Sequence, residues 1–392
     1  YIESIIPYLE INANNMFGAR GIVLPSRSST NGFNNALNPR FAGGFWVGGA
    51  AWASHFFYSY YEYTGDKQFL AKHALPVMER TALFFEDYLY EGPDGKYIFS
   101  PTQSPENTPG NTNSQGTFNA TMDVAAAKEL LNNLITASKE LGVNENKIPV
   151  WKSMLNKMPE YMVNKDGIIK EWLTPKLKNN DNHRHCSQLY PLFDCMPDEI
   201  AASPSLQSAF KKSVQHKLDE HWTNNARGFM SFGLVQLGQT ATTLGENEMS
   251  YQCLVHLVNR FWLSNLASMH NHKTLFNMDI GGGMPDVIIK MLANSTNDTV
   301  QLLPAVPGEW KRGTIEGILC RGQIELKSLQ WSPGKIVVKI VSGKEQKVNL
   351  ELPSKVKSYS VEGPAGLSKT TDQNILKLST PADKVSTLTI SF

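Results

Sequence analysis

The chain has 392 residues, and 37 lysines and arginines stand against 36 aspartates and glutamates. The formal net charge of +1 creates no overall field favouring nucleic acid or an anionic membrane, so a neutral partner is expected. Four scattered cysteines (Cys186, Cys195, Cys253, Cys320) form neither a disulfide framework nor a zinc spacing, and no apolar run reaches the ~18 residues a membrane span needs.

The length allows two domains. With an aromatic content of 10% and eight tryptophans, aromatic faces remain for ligands after a core is built. The first residues, Tyr-Ile-Glu-Ser-Ile-Ile, carry neither an initiator methionine nor a signal-peptide pattern and read as the inside of a helix. A piece of a longer protein is therefore expected.

Ile5, Leu9 and Ile11 mark the tail of a first helix that stops before Gly18. Residues 22–44 lack periodicity and read as an extended loop. A helix follows from Phe45 to about Tyr63, ended by Gly65, then a helical pair over 66–75 and 77–90 interrupted at Pro76. Between them and a long helix at 121–141 lies the stiff run Ser100-Pro101-Thr102-Gln103-Ser104-Pro105-Glu106-Asn107, whose two prolines fix their own φ angles. Trp151, Leu155, Met158 and Met162 fall at helical spacing up to a break at Pro159. Ser203-Pro204 opens a helix with Leu206, Phe210, Val214 and Leu218; further helices fit 229–244, 246–266 and 284–293. After Asn297 the texture changes to short alternating runs at 299–304, 314–320, 322–329, 335–342, 347–352, 356–361, 374–379 and 385–392. The expected architecture is mainly α: an (α/α) toroid over 1–297, lacking its N-terminal helices, followed by an antiparallel β-sandwich over 298–392.

A toroid of helical hairpins gathers loops from one end of its helices, so residues distant in sequence can meet. Reactive groups concentrate in the loops 22–46, 100–119, 181–190 and 268–283. Glu106 reads either as a solvated turn residue or as a proton donor on a stiff support. His183-Arg184-His185 could serve loop hydrogen bonding or grip sugar hydroxyls with the guanidinium fork; i, i+2 histidines make a poor metal pair outside a strand. Asp279, ahead of Gly281-Gly282-Gly283, is either a helix cap or the second carboxylate of an acid and base pair. Glycoside inversion asks for such a pair roughly 6.5–9.5 Å apart. No nucleotide-binding loop or nucleophile elbow is present, and neither a cofactor nor a metal is expected.

Taken in order, Ser104-Pro105-Glu106-Asn107, Thr121-Met122-Asp123, Glu171-Trp172, His183-Arg184-His185 with Ser187 and Leu189-Tyr190, Phe276-Asn277-Met278-Asp279, and Leu302-Leu303-Pro304-Ala305-Val306-Pro307 resemble glycoside hydrolase family 95 over nearly the whole chain. That resemblance implies an inverting α-L-fucosidase or α-L-galactosidase, with a fucosylated or L-galactosylated oligo- or polysaccharide as partner and a periplasmic or extracellular location. It implies Glu106 as general acid, Asp279 as support for an asparagine pair that activates water, and Arg184, His185 and Trp52 as sugar-binding residues. Trp46, Asn107 and His272 are further candidate sugar contacts from their places in these loops.

Departures from the family pattern accompany the match. The Asn-x-Asn motif is expected upstream of Tyr1; Asn12 and Asn14 mimic its spacing in what reads as an ordinary helix. Leu24 to Asn31 replaces a histidine-rich run, Gly-Asn-Phe-Gly after the aspartate becomes Ile280-Gly281-Gly282-Gly283, and the second histidine of His-x-Ser-His becomes Gln188. These changes bear on which sugar is taken. Alternative readings are another toroidal carbohydrate enzyme, such as a phosphorylase, and a non-catalytic glycan-binding protein.

Overall fold

The computed structural model describes residues 1–33, 41–223, 230–271 and 274–392. Two compact units arise: the first runs from the N-terminus through the Pro204–Thr223 helix, and the second from the Ser231–Thr243 helix to the C-terminus. Two short segments, Glu62–Gly65 and Leu192–Met196, belong with the second unit.

In the first unit the main helices are Ile2–Phe17, Gly49–Thr64, Leu75–Tyr88, Thr121–Leu141, Ile148–Asn156 and Pro204–Thr223, with long connections at 18–48, 89–120 and 157–203 between them. Gly18 ends the first at φ 63°, a left-handed conformation that costs glycine nothing. Pro76 does not interrupt its helix. A turn of π-helix at Leu70–Ala74 leads straight into Leu75–Tyr88, and the proline sits at the start of that α-helix, where its fixed φ suits the helical backbone. The Trp151 helix ends earlier than expected, at Asn156, so Met162 lies outside it.

The Leu75–Tyr88 helix packs on Thr121–Leu141, which buries residues on several faces and ends at Gly142. Such all-round burial belongs to an interior helix. Its first turn lies beneath the loops of the candidate site, where the Thr121 amide donates to the Glu171 carbonyl at 3.0 Å. Ser203 caps the Pro204–Thr223 helix as expected, accepting from the Leu206 amide at 3.3 Å.

In the second unit the helices Ser231–Thr243, Asn247–Phe261 and Asp279–Leu292 pack on one another. The last begins five residues before its expected start, because Gly281 to Gly283 form its first turns. At Gly283 a side chain would meet Val235 at 2.6 Å, so glycine permits that close approach.

Two five-stranded sheets follow. One has the order Gly366–Lys369, Ile375–Thr380, Gln346–Glu351, Thr299–Leu302, Ala293–Ser295; the other Ser358–Glu362, Ser386–Ser391, Lys335–Ser342, Ile324–Ser332, Gly313–Cys320. Neighbours are antiparallel except Gln346–Glu351 on Thr299–Leu302, which run parallel. Val300, Leu302, Val348, Leu350, Leu376 and Leu378 from the first sheet share one core with Leu326, Ile336, Val338, Ile340, Leu388 and Ile390 from the second. Each such buried side chain contributes about 1.5–3 kcal/mol, which makes the sandwich core the main support of the strands.

A charged cluster ties the outlying segments into this unit. Arg321, 3% exposed, donates to Glu62 at 3.0 Å, to Asp194 and to the Ser295 carbonyl at 2.8 Å, while Lys290 reaches Asp194 at 3.1 Å and Asp286 at 3.4 Å.

Candidate active site

Glu106 stands on a short turn closed by the Asn107 amide donating to the Ser104 carbonyl at 2.7 Å. The turn is held from several directions. Ser187 donates to the Pro105 carbonyl, Gln115 Nε2 donates to the Glu106 carbonyl at 2.9 Å, and Gln103 Nε2 in turn donates to Gln115 Oε1 at 3.0 Å. Behind the turn lies Glu171, fully buried, whose Oε1 accepts from Ser104 Oγ at 2.8 Å and whose Oε2 accepts from Asn107 Nδ2 at 2.5 Å. Burial pushes the Glu171 carboxyl up to about 7, against the opposing pull of Lys217 and the hydrogen bonds from Ser104 and Asn107.

The Glu106 carboxylate is partly exposed and faces cations. Arg184 Nη2 donates to its Oε2, His185 Nε2 lies 3.8 Å from the same oxygen, and Arg27 Nη2 lies 3.7 Å from Oε1. Arg27 also stacks on Phe41, 4.5 Å from the ring centroid. The loop that carries Arg184 is pinned from beneath by Lys217, a buried lysine whose three ammonium protons reach the carbonyls of Asp181 at 3.2 Å, His183 at 3.0 Å and His185 at 3.0 Å. The rings of His183 and His185 stack with centroids 5.2 Å apart, and His183 Nε2 is 3.2 Å from Arg184 Nη1. Among the described residues no group of three or more His, Cys, Asp or Glu side chains is arranged to hold a metal ion.

On another side of the acid loop, Asp123 is fully buried. Burial pushes its carboxyl well above the usual range, with the nearby Trp46 indole and the backbone of Gly48 and Val47 acting the other way; Thr102 donates to its Oδ2. Asp123 thus lies between the Trp46–Gly48 segment and Thr102, in the chain leading into the acid turn. Trp46 is buried, and its ring meets Trp52 edge to face at 6.2 Å; Trp52, half-buried, meets Tyr190 likewise at 6.0 Å. Tyr190 donates to Glu129 Oε2 at 2.6 Å, and His55 Nδ1 lies 2.6 Å from Glu129 Oε1.

In the second unit Asp279 is exposed in the first turn of the Asp279–Leu292 helix, where the helix dipole favours a negative charge. Asn277 Nδ2 donates to its Oδ2 at 2.8 Å, and Asn277 is itself bound to Ser231 and Ser268. Thus Asp279 has a fixed neighbour and a free face.

Models of two protein families match the chain: the glycosyl hydrolase family 95 catalytic domain over residues 1–292 and the glycoside hydrolase family 95 C-terminal domain over 294–388. The chain belongs to glycoside hydrolase family 95. A relative named alpha-L-fucosidase 2, from Arabidopsis thaliana, is 28% identical over 307 residues, 74% of this chain and 35% of its own length. A second, from Aspergillus niger, with "alpha-fucosidase A" in its name, is 25% identical, over 73% of this chain and 38% of its own length. The chain therefore spans about a third of the length of the curated relatives it matches. In fold, it is similar to a solved α-L-rhamnosidase of Streptomyces avermitilis complexed with L-rhamnose, with a TM-score of 0.54 and 12% identity, covering 100% of this chain and 36% of that one. The family 95 chain is thus an (α/α)-toroid protein with a C-terminal β-sandwich.

Within this family 95 frame the residues singled out from sequence fall in different places. Glu106, Arg184 and His185 come together. Asn107, expected among the sugar contacts, is fully buried, and its side-chain amide is taken up by Glu171, Asn180 and the Thr108 amide. His272 lies outside the described residues. Asn12 is buried and donates to the carbonyls of Val23 and Gly32, so its role is local.

Of the departures from the family pattern, Gln188 is fully buried, whereas Arg27, in the altered 24–31 loop, reaches the acid itself. Sequence reasoning passed over Lys217 and Arg27. Lys217 had a signal: it lies three residues after Val214 and seven after Phe210, a charged residue on the apolar stripe of its helix. Arg27 falls within the 24–31 departure that bears on sugar choice, but nothing in that aperiodic loop marked it out from its neighbours.

Proposed function

We propose that this chain acts as an inverting glycosidase releasing α-linked L-fucose, or the sterically similar L-galactose, from oligo- or polysaccharides. The observation that carries the reading is Glu106: a partly exposed carboxyl on a turn braced at every neighbour, with Arg184 and His185 of a second loop converging on it. Family membership supplies the reaction class.

In this reading Glu106 donates its proton to the glycosidic oxygen as the bond breaks, while Arg184 and His185 turn from the carboxylate to the sugar hydroxyls. Trp52 offers an apolar ring face to the sugar. Trp46 lies behind it and sets its tilt. Asp279, oriented by Asn277, acts on the water side of the reaction, a role taken from the family pattern rather than from any distance to Glu106. We propose a periplasmic or extracellular location on the same grounds; no described helix is long and apolar enough to cross a membrane.

The test is a panel of fucosylated and L-galactosylated oligosaccharides incubated without phosphate, with the first-formed anomer read by proton NMR. Release of the sugar as the inverted anomer is expected. Glu106→Gln should lower turnover about 10²–10⁴-fold without lowering the melting temperature. A retained anomer, strict phosphate dependence, or unchanged turnover in Glu106→Gln would overturn the reading.

A further inference from the structure

We infer that Glu171 is a positioning residue for the acid: its buried carboxyl clamps both sides of the turn whose tip is Pro105-Glu106, and so fixes the direction of the Glu106 carboxyl. The inference rests on the reading of Glu106 as proton donor.

Ser104 and Asn107 bracket that tip. One oxygen of Glu171 accepts from each, at 2.8 and 2.5 Å, so the carboxyl bridges the same two residues that the turn's backbone hydrogen bond joins. Glu171 is itself immobilised. Its amide donates to Asn179 Oδ1 at 2.9 Å, its carbonyl accepts from the Thr121 amide, and the adjacent Trp172, fully buried, donates from its indole to Thr117 Oγ1 at 2.9 Å. Full burial bars Glu171 from touching a sugar, so it acts through Glu106 alone.

The chemistry of the clamp decides which replacements it tolerates. Asn107 presents an N–H and can only donate, whereas the Ser104 hydroxyl can either donate or accept. A glutamine at 171 can turn its carbonyl to Asn107 and its NH₂ to Ser104, keeping both bonds without the charge. An alanine keeps neither: the buried Ser104 hydroxyl loses its acceptor, and Asn107 Nδ2 keeps only the Asn180 carbonyl. The charged and titratable groups around Glu171 are Lys217 on the Pro204–Thr223 helix, Asp181 in the loop above it and the Cys186 thiol.

The experiment compares Glu171→Ala, Glu171→Gln and Ser104→Ala with the unaltered chain on the same fucosylated substrate. Misplacing a catalytic group by about 1 Å costs on the order of 10²-fold. Glu171→Ala should therefore lose about 10²-fold in kcat with KM changed less than about threefold, and Glu171→Gln should recover to within about tenfold of the original. Adding Ser104→Ala to Glu171→Ala should cost no more than Glu171→Ala alone, since the two act as one clamp.

Hydrogen exchange provides a readout independent of activity. The Asn107 amide should exchange faster in Glu171→Ala and at the original rate in Glu171→Gln. An unaltered kcat or unaltered Asn107 exchange in a folded Glu171→Ala, or a glutamine variant as impaired as alanine, would overturn the positioning role. Should the unaltered chain act on none of the glycans, the proposed function fails, and Asn107 exchange still decides whether Glu171 clamps the turn. If Glu171→Ala does not fold, the kcat and Asn107 exchange of Ser104→Ala decide the matter: no change in either would overturn the clamp.

Discussion

The guanidinium of Arg184 donates to the carboxylate of Glu106, and the loop presenting that guanidinium is fastened by a lysine buried beneath it. An arginine offers a planar fork of donors that a lysine cannot reproduce. Arg184→Lys keeps the charge and should still lower kcat/KM on the fucosylated substrate by about 10-fold or more, in line with a charge-assisted hydrogen bond of ~1.5–3 kcal/mol. Steady-state kinetics check this, and parity with the unaltered chain would remove Arg184 from the proposed sugar site.

Lys217 satisfies three backbone carbonyls at once. Lys217→Met fills similar volume and leaves Asp181, His183 and His185 without that partner. Each buried acceptor so abandoned costs on the order of 1–3 kcal/mol, less where water can enter. Denaturant unfolding should show a loss of a few kcal/mol, and kcat/KM should fall because Arg184 and His185 lose their aim.

Glu171 links stability to pH. Its folded value of about 7 lies above the ordinary 4.5, so the folded state holds a proton that the unfolded chain has released. The stabilisation is fully present below about pH 4.5 and is lost as pH rises through 7; above that, the buried charge costs on the order of 3 kcal/mol relative to a neutral group. Glu171→Gln should therefore be more stable than the original chain at pH 8, with the advantage shrinking to nothing near pH 4. Melting curves across that range measure it, and a constant difference at all pH values would contradict the linkage.

Asp279→Asn separates charge from shape. The helix dipole at an exposed first turn is worth about 0.3–1 kcal/mol, so the melting temperature should hardly move. Turnover should nevertheless fall by at least about 10-fold if the carboxylate acts on the attacking water. An equally active Asp279→Asn would confine the residue to its place against the helix dipole, since Met278 occupies the cap position without a side-chain cap bond.

Much of the architecture was legible in the chain because it rests on local rules. Gly18 and Gly142 end their helices, Ser203-Pro204 starts one, and the alternation after Asn297 located most of the sandwich strands. Where the reading failed, structure beyond the single residue had overruled its ordinary preference. Pro76 sits harmlessly in a first turn because a π turn precedes it, and Gly281 to Gly283 enter a helix because Val235 needs the space at Gly283. Likewise the chemistry-bearing pattern around Glu106 was visible, but its supports were not. Whether Asn107 faces a sugar or Glu171 depends on contacts more than sixty residues away in sequence, which no spacing rule encodes.

The charged knot at Arg321 bears on how the protein can be divided. A chain ended at residue 297 would keep Glu62, Asp194 and Lys290 but lose the guanidinium that two of those carboxylates share. Removing one member of a largely buried ion pair costs about 3–5 kcal/mol, a large part of the stability of an ordinary domain. The helical portion expressed without its strands would therefore start life near its unfolding threshold. Through Arg321 the β-sandwich anchors the 192–196 segment, which follows the Tyr190 helix turn and is remote from those strands in sequence.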